Sequence, residues 1–599
     1  MMQHGTVSFL MGGWLSLVMI FVGAACTEKA NDHPIMQGSS SQDSMRTPTA
    51  SPNKEPAFAK RMTAGADGGT PTRVVTQTEA VAVNSGAPVH TSRPTVEMPA
   101  HITSACGGCH AVPRPEEFTD RTWPGAIRYM YWLFDEFYPQ PSGYLTQAAA
   151  LDFYLKNAAQ RLPTPRLYPV DDKADRRFTF QPFQGPRSPT LIGDLSVVQN
   201  QQGQRVLLTT DMLAGRIEET PLMLNAQPRV VTTAEHPTAT RRYDIDGDGR
   251  LDDVVIELRT FSAKDIQRGR MQVVFNRKSG AETRAILEGV GRIADVAVAE
   301  VDAHAGPQFV VADFGWQKTG GLHVLTRRET AQGDVTFDRK TVDTRAGHIA
   351  VAIADMDGDG DQDLVGGLAQ HHEQIDVWIN EGKGRYTRKT LFKAHTPMWG
   401  LMTLKVADLD NDGDMDIVHV NGDTLDAPKI AAFQGVHLLE NRGQGRFETR
   451  QIAELPGAHD LDIGDIDGDG RLDIVAVANL APGLTETLWH AKGKPDANVP
   501  MESVIVLRQT QPLRFQVRSL LRQQSCFSAV ALADLDSDGD LDIALGSFGI
   551  GWTLLSSYEP ESVPKPAKRA CDQDQLWWLS NDASGRRRNP PIAKAALST

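Results

Sequence analysis

"DIDGDGRLD", residues 244–252, decides the reading of this chain, because the same nine-residue pattern returns four more times. It reads "DMDGDGDQD" at 355–363, "DLDNDGDMD" at 408–416, "DIDGDGRLD" at 465–473 and "DLDSDGDLD" at 534–542. Carboxylates stand at the first, third, fifth and ninth positions, a glycine at the sixth allows a sharp turn, and the seventh lends its backbone carbonyl. A calcium ion, which takes roughly six to eight hard oxygen ligands, requires such a set. The candidate ligands are Asp244, Asp246, Asp248 and Asp252; Asp355, Asp357, Asp359 and Asp363; Asp408, Asp410, Asp412 and Asp416; Asp465, Asp467, Asp469 and Asp473; and Asp534, Asp536, Asp538 and Asp542. One copy alone reads equally well as a solvated acidic turn. Five copies in one pattern do not, and they predict about five Ca2+ sites.

The flanks identify the scaffold. The twelfth position, where a helix-loop-helix calcium site carries a bidentate Glu, is Val255, Gly366, His419, Ala476 and Leu545, so these are not EF-hands. "AVAIADMDGDGDQDLVGGL" (350–368) and "DLDIGDIDGDGRLDIVAVAN" (460–479) place short β-branched runs on both sides of the loop. Each loop therefore joins two strands of a hairpin.

The interval between the first two copies is about double the others. Midway stands "DVAVAEVDAHAGPQFVVADFG" (295–315), where Glu300 and Asp302 keep two acidic positions while His304 and Gln308 replace the others. That unit keeps its strands and loses its metal. "TLIGDLSVVQNQQGQRVLLTTD" (190–211) is a further strand pair without a metal loop, making seven units. Seven units of about four strands each predict a mainly β fold, a seven-bladed β-propeller. "LWWLSNDASGRRR" near the C-terminus supplies a further strand, so the last blade is expected to close with strands from both ends of the domain. The repeats resemble the FG-GAP/VCBS family, whose calcium loops brace each blade; the resemblance covers about 175–590, within an expected propeller domain of 175–599.

The N-terminus reads differently. "MMQHGTVSFLMGGWLSLVMIFVGAAC" (1–26) holds one apolar run too short for a membrane span and suited to a secretory signal. Its ending, "VGAAC", resembles a bacterial lipoprotein signal, which implies lipidation of Cys26; an uncleaved anchor and a plain secretory signal are the alternatives. Gly23 stands where that family usually has Leu, and the segment before the apolar run has no Lys or Arg. Thr27 lacks the Asp that retains many enteric lipoproteins in the inner membrane, so the resemblance implies an extracytoplasmic protein anchored to the outer membrane. Residues 27–97 are rich in Ser, Thr, Pro, Gly and Ala and read as a disordered tether.

Between tether and propeller, "SACGGCH" (104–110) has the spacing of c-type haem attachment: Cys106 and Cys109 one helical turn apart, then His110 as an iron ligand. Dithiol redox and zinc sites share the cysteine spacing, but the first expects a βαβ context and the second a nearby second ligand pair. Two helix candidates follow, "FTDRTWPGAIRYMYWLFDEF" and "LTQAAALDFYLKNAAQRL". Residues 98–165 resemble a small, all-α class I cytochrome c domain of the compact form CxxCHxxPxP, then Trp, then Met, carried here by Cys106, Cys109, His110, Pro113, Pro115, Trp123 and Met130. That resemblance implies covalent haem c with Met130 as second axial ligand; His101 is the rival ligand, and packing is the alternative role of Met130. Of the five cysteines, Cys526 and Cys571 remain, as a disulfide in an oxidising compartment or as two thiols.

The formal charge of −14, with no basic stripe, argues against a nucleic-acid partner. No GxSxG or zinc-protease signature occurs. Arg292, His348, Trp399 and His459 precede acidic loops and are candidates for a channel mouth, either to bind a ligand or simply to pack. Three readings result. One is a lipid-anchored monohaem electron-transfer protein or haem-dependent oxidoreductase, whose propeller docks a redox partner. The others are a propeller that binds or modifies polysaccharide and an adhesion protein with vestigial haem.

Overall fold

The structure, a computed structural model, describes residues 96–107, 110–137, 145–160, 162, 165–170, 178–183, 191–223, 226–261, 264–299, 308–331, 334–423, 430–480, 500–522, 526–548 and 576–581. Cys26, Cys109 and Cys571 lie outside them, as do the acids of the degenerate third loop and the whole of the expected signal peptide. No helix among the described residues is long and apolar enough to cross a membrane.

Seven four-stranded antiparallel sheets form the blades of a propeller. Blades 1 to 6 occupy 192–233, 237–290, 293–343, 348–393, 401–454 and 458–522 in turn. Blade 7 takes Phe527–Ala533, Asp542–Ser547 and Leu576–Asn581, and its outermost strand is Phe178–Phe183 from the other end of the domain, with Phe178 opposite Asn581. The chain thus closes the ring as the C-terminal strand pattern predicts, and both ends of the sheet domain are fastened in one blade.

The first strand of each blade is innermost, and each inner strand packs against the next until Phe527–Ala533 meets Ile192–Gln199. Aspartates tie this inner ring together. Asp194 accepts the Thr240 amide at 3.1 Å, Asp295 the Val351 amide at 3.1 Å, Asp460 that of Val530 at 2.9 Å and Asp462 that of Leu532 at 2.8 Å, each in the following blade. Arg241 bridges Asp194 and Asp295 at 2.8 and 3.3 Å.

Second strands such as Asp363–Leu368 and Asp473–Ala478 are buried at every position, because neighbouring blades cover both faces. This accounts for their unbroken apolar runs. Outer strands such as Tyr386–Lys393 are largely exposed and correspondingly polar.

A helical segment precedes the ring: α1 (Ala100–Cys106), a 3-10 turn at Pro115–Glu117, α2 (Trp123–Phe137) and α3 (Gln147–Asn157). Thr146 caps α3, its hydroxyl accepting the Ala149 amide at 3.2 Å. Ile102, Phe118, Trp123, Ile127, Ala150 and Tyr154 form the segment's buried core. Trp123 Nε1–H donates to the Pro115 carbonyl at 2.8 Å and the Tyr154 hydroxyl to that of Pro113 at 2.9 Å, so the prolines after His110 anchor the helices. Ala431, Met398 and Phe433 of the propeller join the same core. All the described residues belong to one compact unit.

Candidate functional site

Each acidic loop is the turn between the first and second strands of its blade, as the flanking runs predict. The sixth-position glycines Gly249, Gly360, Gly413, Gly470 and Gly539 have φ between +82° and +99°. A side chain there would be strained, which is why glycine recurs. Each donates its amide to the first-position aspartate, at 2.9 Å from Gly249 to Asp244 and 2.8 Å from Gly470 to Asp465. The loop thereby curls around its own first carboxylate.

Carboxylate oxygens converge within 4.8 Å of one another in all five loops: Asp244, Asp246 and Asp248; Asp355, Asp357 and Asp359; Asp408, Asp410 and Asp412; Asp465, Asp467 and Asp473; and Asp534, Asp536 and Asp542. The ninth-position aspartate has a second task in every loop. In blade 4, Asp363 accepts the Met356 amide at 2.9 Å with one oxygen and the Asn380 amide at 2.7 Å with the other. Asp252, Asp416, Asp473 and Asp542 repeat both bonds, to the second loop residue and to Asn276, Asn441, Gln509 and Asn581. Burial, then neighbouring loop carboxylates, push these carboxyls up to about 6 in Asp252 and Asp363 and about 7 in Asp416, Asp473 and Asp542.

The third-strand amides were not singled out from the sequence. Asn441 reaches the Met356 carbonyl of blade 4 at 3.4 Å, Gln509 the Leu409 carbonyl of blade 5 at 2.9 Å, and Asn581 the Ile466 carbonyl of blade 6 at 2.6 Å. They clamp each loop to the previous blade. Their signal was present, as a polar amide ending the third apolar run in "VVFN", "VWIN", "LLEN", "VLRQ" and "WLSN".

At the helical segment, Cys106 ends α1 with its thiol half-buried, and burial raises its pKa. The His110 Nδ1–H donates to the Ala111 carbonyl at 2.8 Å, which leaves Nε2 with its lone pair; burial lowers the pKa of the ring and keeps it neutral. Met130 lies on α2, seven residues beyond Trp123 and three beyond Ile127, hence on the face those buried residues occupy.

Antiparallel blades put the acidic turns at one end of the ring and the connections between second and third strands, and between blades, at the other. The helical segment covers that other end. Glu117 lies 3.8 Å from His395, and burial pushes its carboxyl up to about 7; Phe118 meets Phe433 edge-on at 6.3 Å, and Phe433 stacks on Trp399 at 5.3 Å. Beneath them the buried His437 and His419 stack at 5.0 Å, and burial depresses both, His437 to about 4. The connecting stretch holds to blade 6, where the Tyr168 amide donates to Glu502 at 3.0 Å.

The four channel-mouth candidates are packed. Arg292 donates to the Gly315 carbonyl at 2.8 Å and lies over Phe314 and Trp316; His348 sits against Trp378; Trp399 stacks as above; His459 bonds the Ser528 carbonyl at 3.0 Å. Cys526 is disulfide-bonded, and Cys571, its expected partner, lies outside the described residues.

Fold and loops together define a class: a seven-bladed β-propeller built from acidic hairpin-loop repeats. Residues 355–419 and 429–476 match the FG-GAP-like repeat family, so blades 4 to 6 carry the repeat the sequence resembles. Comparison with curated proteins finds no match. Among solved structures, the "Crystal structure of BBS1N in complex with ARL6DN, soaked with mercury" is 10% identical, with a TM-score of 0.35, and the match covers 62% of this chain and 94% of that one. A likeness so distant does not inform function.

Proposed function

We propose that the chain is an extracytoplasmic monohaem c-type electron-transfer protein, lipid-anchored to a bacterial outer membrane through Cys26, whose calcium-braced propeller docks a redox partner or substrate. The observation that carries the reading is the preparation of His110: a half-buried, neutral imidazole with Nδ1–H held by a backbone carbonyl and Nε2 left for iron. Cys106 and Cys109 would attach the haem, and His110 and Met130 would hold its iron. Bound haem supplies a one-electron couple. The chain's part is to hold the ring, fix the His110 tautomer and exclude water through the Trp123, Phe118 and Tyr154 core.

In the same proposal the acidic loops take Ca2+. Converging carboxylates, with partners whose pKa values are raised first by burial and then by that crowding, favour a divalent cation, since two positive charges relieve both costs. The test is a potentiometric titration of haem-loaded full-length protein. One reversible single-electron couple is expected; haem without reversible redox behaviour would overturn the electron-transfer role.

A further inference from the structure

We propose that the acidic loops of blades 4 to 7 bind their cations as one coupled array, linked by the side-chain amides of Asn441, Gln509 and Asn581, while the loop of blade 2 binds independently. The inference rests on the calcium reading above and adds to it how those sites influence one another.

The link is an unbroken run of hydrogen bonds. In blade 4, Asp363 accepts the Met356 amide at 2.9 Å, and the Met356 carbonyl accepts from the Asn441 NH2 of blade 5 at 3.4 Å. The Asn441 backbone N–H donates to Asp416, the ninth-position carboxylate of blade 5, at 2.8 Å, and the other Asp416 oxygen accepts the Leu409 amide at 3.4 Å. Gln509 of blade 6 repeats the step, its NH2 on the Leu409 carbonyl at 2.9 Å and its backbone N–H on Asp473 at 2.7 Å. Asp473 accepts the Ile466 amide at 3.1 Å. Asn581 of blade 7 then donates to the Ile466 carbonyl and, through its backbone N–H, to Asp542, both at 2.6 Å. Each candidate ligand carboxylate is thus joined to that of the next blade through one loop residue and one amide residue.

The amide acts as a fork between two loops. Asn441, Gln509 and Asn581 also donate to their own loops, at the carbonyls of Met415, Leu472 and Leu541, 3.3, 2.9 and 3.1 Å away. A primary amide has two hydrogens, so both are committed, and they are satisfied together only when both loops hold their folded shape. All three side chains are buried, which leaves little water to stand in for either loop. An empty loop, whose carboxylates repel one another, loosens the fork. A filled loop fixes it, and the neighbouring loop then loses less freedom on taking its own ion. The three amides are therefore positioning residues for cation binding in two blades at once.

Blade 2 lies outside this run. The carbonyls of its loop residues Ile245 and Asp246 accept from Arg327 of blade 3 at 3.0 and 3.4 Å, and blade 3 has His304 and Gln308 where the acidic loops have carboxylates. Blade 1, on its other side, has no acid in the turn Asn200 to Gln204. Neither neighbour carries a second cation site for blade 2 to couple with.

The test is calcium titration by isothermal calorimetry of full-length protein freed of divalent cations. Asp465→Asn with Asp467→Asn empties the loop of blade 6, and Asp244→Asn with Asp246→Asn empties that of blade 2. The first pair is expected to weaken the remaining sites next to it about fivefold or more, and the second to leave the remaining sites unchanged. Gln509→Met keeps every acidic ligand and nearly the same volume, and covers the case in which the first pair impairs folding. It should weaken at least two sites, since the fork serves the loops of blades 5 and 6; weakening of one site alone would mark a local role and overturn the coupling. An equal effect of the two emptied loops on the remaining sites would also overturn it. Wild-type protein that takes up no calcium would overturn the calcium reading itself and this proposal with it, which separates the two failures.

Discussion

Replacing Asp363 tests how the acidic loops hold the blades. Asp363 is fully buried, and its two oxygens accept the Met356 amide at 2.9 Å and the Asn380 amide at 2.7 Å, fastening the loop to its own third strand. In Asp363→Ala both amides remain buried without an acceptor, at a cost of about 1–3 kcal/mol each, so metal-free protein should lose about 2–6 kcal/mol. The upper part of that range is not expected, because the substitution also removes a carboxyl that burial opposes. Asp363→Asn keeps one acceptor oxygen and should lose about half as much. Asp361→Ala, an exposed side chain two residues earlier, should change stability by no more than about 0.5 kcal/mol. Urea unfolding followed by tryptophan fluorescence, in excess chelator, measures all three. If Asp363→Ala unfolds at the same midpoint and slope as Asp361→Ala, the buried carboxylate is not what joins loop to blade.

Three further outcomes follow from the same geometry. Chelation should lower the melting temperature of wild type, since clustered carboxylates then repel; an unchanged melting curve contradicts a structural role for the metal. Gly360→Ala should cost about 1–2 kcal/mol through backbone strain at φ +93°, because nothing lies within 4 Å of the added carbon; a neutral result in a denaturation series rejects that account. His437 is depressed to about 4, below its unfolded value of about 6.5, so its contribution is complete above the unfolded value and is lost as pH falls toward 4. His437→Phe should therefore lose less stability than wild type between about pH 6.5 and 4, and parallel stability curves would refute it.

The loops were legible because their chemistry is local. Four carboxylates and a glycine in nine residues specify turn, ligand set and hairpin at once, and the alternating runs beside Asp355 and Asp465 specify strands. The seven-fold count was legible from spacing, including a first blade whose turn, Asn200 to Gln204, has no acids and closes on ordinary hydrogen bonds. The third-strand clamps were harder to see, because Asn441 acquires its role only when blade 4 stands next to blade 5. The setting of Trp399 and His459 depends likewise on neighbouring blades, and both are packed where sequence position alone left ligand binding open.

The most direct test of the account is the visible spectrum of full-length protein made with the cytochrome c maturation machinery, reduced after denaturation. Covalent attachment at Cys106 and Cys109 predicts a c-type α-band that survives unfolding and disappears when both cysteines are replaced by alanine. A wild-type spectrum without that band would contradict the central claim and leave the acidic-loop propeller as the working part of the molecule.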